Sequence, residues 1–159
     1  MTTRRWATVL ALPALVLAAA GCGSAQESAG SFATRILREE ISGQWAAQWG
    51  ELHPGHQKLI DRAQYVLCSE GMETNVGTGK ERFTVTGVRG QAIHVRGVPE
   101  HTAELVTVRV TGIAGAGAAV FHLHAVRDRG RWRWILGNSF LAALGRGQCL
   151  DGSALGAGS

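Results

Sequence analysis

Apolar residues change their spacing once along this chain, near Gly71, and that switch fixes the order of elements any fold must accept. Before it, Phe32, Ile36, Leu37, Ile41, Trp45, Trp49 and Leu52 recur every three or four positions, with Arg35, Arg38, Glu39 and Glu40 mostly on the other side. This is the pattern of an amphipathic helix starting near Ser31, with Gly43 as its weak point. Pro54 disfavours helical geometry at His53 and suits the first turn of a second helix, which Leu59, Ile60, Ala63, Val66 and Leu67 carry to about Cys68. Beyond Gly71 the period falls from 3.6 to two.

β-branched residues dominate that second half, as in Phe83-Thr84-Val85-Thr86 and Ala92-Ile93-His94-Val95-Arg96. Residues 104–111 set Val106, Val108 and Val110 against Thr107, Arg109 and Thr111, so one face of that strand packs and the other is more polar. A turn over 112–117, a strand over 118–126 and a tight hairpin at Arg127-Asp128-Arg129-Gly130-Arg131 lead into Trp132-Arg133-Trp134-Ile135-Leu136. Two helices followed by four to five antiparallel strands predict an α+β domain, its N-terminal helices packed on one face of a curved antiparallel sheet.

The N-terminus carries a different message. Arg4 and Arg5 precede an apolar run of about a dozen residues, too short for a stable span, that ends in Ala18-Ala19-Ala20-Gly21-Cys22. This ending resembles the lipobox of bacterial lipoprotein signals, with Ala19 where leucine is usual. The resemblance implies a signal peptide over 1–21, a diacylglyceryl group on Cys22, palmitate among the acyl chains, and export to the outer face of the cell membrane. Two or three acyl chains hold a protein durably where one does not. The small, polar residues 22–30 then read as a flexible tether, 31–150 as one domain and 151–159 as a flexible tail.

Removing 21 residues from 159 leaves 138, enough for a single core. The 16 Lys and Arg against 12 Asp and Glu shrink to 14 against 12 once Arg4 and Arg5 leave with the signal. That small surplus, with no basic cluster interleaved with aromatics, argues against a nucleic-acid partner. Of three cysteines, lipidation takes Cys22 and leaves Cys68 and Cys149 as a pair. In an oxidising compartment their default is a disulfide, closing a loop of about 80 residues. A zinc or redox pair is the rival reading, and the sequence has no CxxC spacing to support it.

Trp45-Ala46-Ala47-Gln48-Trp49-Gly50-Glu51-Leu52-His53-Pro54, followed by Gln57, Asp61-Arg62 and Tyr65-Val66-Leu67-Cys68, resembles exported nuclear transport factor 2-like proteins, as does the Trp-Arg-Trp-Ile-Leu strand. The resemblance covers most of residues 31–150. It implies a cystatin-like α+β cone, a strongly curved sheet wrapped round helices, often enclosing a pocket, and it allows a homodimer. Enzymes, ligand binders and interaction modules all use such a scaffold. Cyclases and isomerases of that superfamily rely on a pocket carboxylate or histidine beside an acidic or tyrosine donor. None of their catalytic positions maps onto this chain, where Tyr65 is the single tyrosine and Glu81, Glu100, Glu104 and Asp128 stand near strand ends.

Candidate binding residues are few. His122 and His124 share a strand face and could hold a metal if His94 joined them from a neighbouring strand; otherwise they are amphipathic side chains on the solvent side, opposite Phe121 and Leu123. His53 and His56 have HxxH spacing, yet His53 before a proline better suits a helix cap. Trp132 and Trp134 share a face and line a pocket or fill the core. Arg109, with Arg131 and Arg133, forms an anion-binding stripe or simply a solvated face. Gly112, Gly115 and Gly117 lack dinucleotide-binding spacing, so no cofactor is implied. The expectation is a lipid-anchored, non-enzymatic envelope protein that binds a hydrophobic small molecule or a partner protein. The alternative is a small-molecule enzyme of the cyclase or isomerase type.

Overall fold

Ser28 opens the first helix, because its side chain accepts the Ser31 N–H and satisfies one of the free amides of the first turn. The computed structural model describes residues 26–71, 77–115 and 117–149. The signal peptide expected over 1–21, Cys22 and the tail expected over 151–159 lie outside the described residues. Helix α1 spans Ala29–Ile41 and buries Phe32, Ala33, Ile36, Leu37 and Ile41. It starts two residues before the expected Ser31. The adjoining residues of the expected tether also dock: Glu27 pairs with Arg35 and its carbonyl accepts the Trp132 indole N–H at 2.7 Å.

The helix expected to run on to Leu52 is broken. Gly43 adopts a positive φ of 69°, a conformation that costs a side-chain-bearing residue, and α2 restarts at Trp45–Glu51. The second expected helix is likewise two pieces, α3 at Pro54–Gln57 and α4 at Arg62–Gly71. Asp61 divides them by accepting the N–H groups of Ala63 and Gln64 with its carboxylate. These breaks let α1 lie on the sheet and α2 turn onto β4, with α4 packed against α2.

Four strands follow, β1 at Arg82–Ala92, β2 at Thr102–Thr111, β3 at Ala118–Asp128 and β4 at Arg131–Ile135, in sheet order β1-β2-β3-β4 and antiparallel throughout. The two short strands expected at 83–86 and 92–96 are instead one strand ending at Ala92, and 93–96 begins a loop. Arg129 and Gly130 both have positive φ, 49° and 82°, which gives the two-residue hairpin between β3 and β4. A last helix, α5 at Asn138–Leu144, buries Phe140, Leu141 and Leu144; its apolar run is too short to announce itself in the sequence.

Alternation along the strands assigns the two faces. Val106, Val108, Val110, Leu123, Ala125 and Trp134 point inward against Phe32, Ile36, Trp45 and Leu52, each side chain of the fully buried set contributing roughly 1.5–3 kcal/mol. The loop after β1 folds over one end of the other face, where Ile93 and Val98 pack on Ala103, Val126 and Ile135. Cys68 and Cys149 are bonded, their Cα atoms 5.0 Å apart, fastening the chain beyond α5 to α4.

Candidate functional site

The outward face of β1, β2 and β3 is left open except where the 93–101 loop covers one end. Register places Arg82, Thr84, Arg89 and Gln91 of β1, Thr107, Arg109 and Thr111 of β2, and Val120, His122 and His124 of β3 on this side. Thr84 stands opposite Arg109, and Arg109 opposite Val120. Val120, 52% exposed, lies near the start of β3, where that strand has β2 on one side and no β4 partner on the other. No Asp or Glu occupies an outward position of β1 or β2; on β3 the outward acid is Asp128, at the far end. The open face is therefore cationic, carried by Arg82, Arg89 and Arg109.

His122 and His124 sit within this face and are held separately. Nδ1 of His122 lies 3.2 Å from the Thr107 hydroxyl, and Nε2 of His124 lies 3.4 Å from Oε1 of Gln91. Burial, the neighbouring His122 and Arg89 all hold the His124 imidazole below its ordinary range. His94 does not join them. It lies beyond the end of β1, its ring 6.1 Å from that of His101, so the three-histidine arrangement is not formed.

The opposite side of the sheet holds a small, mostly apolar pocket with a few polar groups. Glu40, Trp45, Gln48, Tyr65, Ser69, Trp134, Leu136 and Phe140 line about 30 Å³, room for one or two waters. Tyr65 donates its hydroxyl to Oε1 of Gln48, whose amide donates to Oε2 of Glu40 at 3.4 Å. Loss of hydration pushes the Glu40 carboxyl up to about 7, against the opposing Gln48 hydrogen bond. Burial also raises the Tyr65 phenol, with Ser69 opposing. Trp134 donates its indole N–H to the Gln48 carbonyl at 2.9 Å, so it is both core and pocket wall. Trp132 shares its face yet is only half-buried, with Arg127 stacked 4.2 Å from its ring centroid.

His53, Glu100 and Asp128 form a third cluster whose ligand atoms all lie within 4.8 Å of one another. Nδ1 of His53 accepts the Gly55 N–H at 3.0 Å, which caps α3 and confines the proton of the neutral ring to Nε2. Nε2 then faces Glu100 at 3.3 Å. A ring whose Nδ1 lone pair is used in a cap has no second lone pair for a metal, so the chemistry of the donors opposes an ion here. His56, the other half of the HxxH spacing, packs edge-on 6.1 Å from the His53 ring, but its Nδ1 is taken by the Leu136 N–H.

An open groove of about 560 Å³ crosses the outside of α2 and α4, lined by Ala46, Asp61, Arg62, Ala63, Val66, Leu67 and Glu70. Arg131 is exposed, whereas Arg133 reaches the Gly50 carbonyl at 2.9 Å and Glu51 at 3.5 Å, which removes it from any stripe with Arg109. Sequence reasoning missed Glu40 and Gln48 because both read as the polar face of a continuous helix. Only the break at Gly43 turns them toward Tyr65.

Comparison of the chain with protein-family models, with curated proteins and with solved structures returns no match.

Proposed function

We propose that this chain is a lipid-anchored protein of the cell envelope, tethered to the outer face of the membrane through Cys22, and that its domain is a nuclear transport factor 2-like module that works by contact with a partner protein. The observation that carries this reading is the open, cationic outer sheet face, with Val120 exposed at its β3 margin beside Arg109. An exposed valine next to Arg109, on a face that also carries Arg82 and Arg89, fits an acidic protein surface: the apolar part supplies burial and the arginines supply orientation and encounter rate. The helical layer supports the same choice. Its pocket beside Glu40 and Tyr65, about 30 Å³, is an order of magnitude smaller than the ~300 Å³ at which small-molecule sites begin, and the groove of about 560 Å³ outside α2 and α4 is an open surface depression.

The enzymatic alternative has one observation in its favour. Glu40, with its carboxyl near neutrality, lies in the same pocket as the Tyr65 hydroxyl, linked through Gln48, so an acid or base and a hydrogen-bond donor do meet beside aromatic walls. At about 30 Å³ the pocket admits water but no substrate without widening.

Mass spectrometry of the full chain extracted from its own membrane tests this reading. The expected spectrum carries an acylglyceryl adduct on Cys22 under denaturing conditions and no small molecule under native conditions. An unmodified, soluble chain would contradict the anchor. A retained lipid or metabolite would move the function to the helical side.

A further inference from the structure

Strand β1 is eleven residues long and, among the described residues, is hydrogen-bonded on one side only, to β2. Every second residue therefore directs its N–H and C=O away from β2, a ready template for another strand. Two large apolar side chains stand exposed on it, Val85 at 40% and Val88 at 49%. Both face the helical side: Val85 is paired with Val108 and Val88 with Val106, and Val85 packs against Gly30 of α1.

The register shift between Val85 and Gly87 decides which partner this edge suits. Before the bulge the inward positions are Phe83 and Val85; after it they are Val88 and Gly90. A second β1, run antiparallel about a two-fold axis between Thr86 and Gly87, then sets every inward residue opposite an inward one. Val85 meets Val88 of the second copy, Phe83 meets Gly90, Thr84 meets Arg89 and Arg82 meets Gln91. No two charges of like sign stand opposite, the two valine pairs close an apolar strip, and the phenyl ring covers a glycine. Without the extra residue, the same pairing would put each inward side chain against an outward one.

We propose that β1 pairs with β1 of a second copy of this chain, joining two four-stranded sheets into one of eight with both cationic faces on the same side. The proposal rests on the edge and its bulge, and holds whether or not the outer face binds an acidic partner.

The full-length protein in detergent micelles tests it by native mass spectrometry and by oxidation of paired cysteines. The expected results are a dimer mass for the unaltered chain and a covalent dimer for Val85→Cys with Val88→Cys. Thr84→Cys with Val88→Cys, whose thiols lie on opposite sides of the sheet, should give none. Val88→Lys places a cation on an already exposed site, so it should leave the far-ultraviolet circular dichroism unchanged while weakening the dimer roughly tenfold or more. A monomer mass at every concentration, equal cross-linking by both cysteine pairs, or a thiol that traps a different protein would each overturn it.

Discussion

The amide N–H of Leu136 donates to Nδ1 of His56 across 3.2 Å, joining the turn after Pro54 to the end of the last strand. His56 is fully buried, and loss of hydration, followed by the nearby His53, pushes its imidazole down to about 4, against an opposing contact with the Arg96 backbone. The bond needs the neutral ring, so this junction is tied to pH.

The unfolded chain takes up a proton at His56 near pH 6.5 that the folded chain refuses until about pH 4. Stability from this group is complete above about 6.5 and is lost as the pH falls toward 4, on the order of 3 kcal/mol in all. Urea denaturation between pH 4 and 7 should show that slope. His56→Gln should flatten it, even though the variant is less stable at pH 7.

Glu40 acts with the opposite sign. Its folded value is raised from 4.5 to about 7, so its contribution is complete below about pH 4.5 and disappears as the pH rises through 7. Glu40→Gln keeps a neutral partner for Gln48 and should stabilise the protein by about 1–3 kcal/mol at pH 8, with little change at pH 4.5. Thermal melts at the two pH values check it; an equal shift at both would show that the carboxyl is not held neutral by the pocket.

Tyr65→Phe removes the donor to Oε1 of a buried Gln48 and keeps the ring packed edge-on to Trp134. The uncompensated carbonyl should cost about 1–3 kcal/mol in denaturant unfolding. Phe at this position paired with Gln48→Leu should recover part of that loss, because both polar partners are then gone.

Much of the fold was legible because it depends on local pattern. The period switch separated helices from sheet, the glycine in the hairpin gave the β3–β4 turn, and the alternation at Val106, Val108 and Val110 gave the buried face. What stayed hidden depends on distant partners. Gly43 stood out as a weak point, yet the apolar spacing runs straight through it and through Asp61, so neither read as a break, and α5 is too short for periodicity to mark. The cationic face was half legible: Arg109, His122 and His124 could be put on strand faces, but Arg89 joins them only through a bulge that no spacing rule reveals.

Gly55 shows another such distant dependence. A Cβ built there would lie 1.7 Å from the Gly97 carbonyl oxygen, so the α3 turn and the 93–101 loop can touch only backbone to backbone. Gly55→Ala should cost about 3 kcal/mol or more, whereas Gly50→Ala, at an open position within α2, should stabilise by roughly 0.5–1 kcal/mol, both measured as the shift in denaturation midpoint.

The bond between Cys68 and Cys149 spans 81 residues and carries a large share of the expected stability. Replacing both by serine removes a constraint worth roughly 4–5 kcal/mol on the chain-entropy model. The expected outcome is a marked drop in melting temperature that reducing agent reproduces in the unaltered protein.

The central claim is that the outer sheet face is where this protein does its work. Photo-crosslinking of the full, membrane-held chain addresses it, with a photoreactive residue placed at Val120 on that face or at Ala63 beside the α4 groove. The expected outcome is a discrete adduct to an acidic protein from Val120, lost when Arg109 is changed to Glu, and none of comparable yield from Ala63. An adduct from Ala63 alone, or one from Val120 that survives charge reversal at Arg89 and Arg109 together, would contradict it.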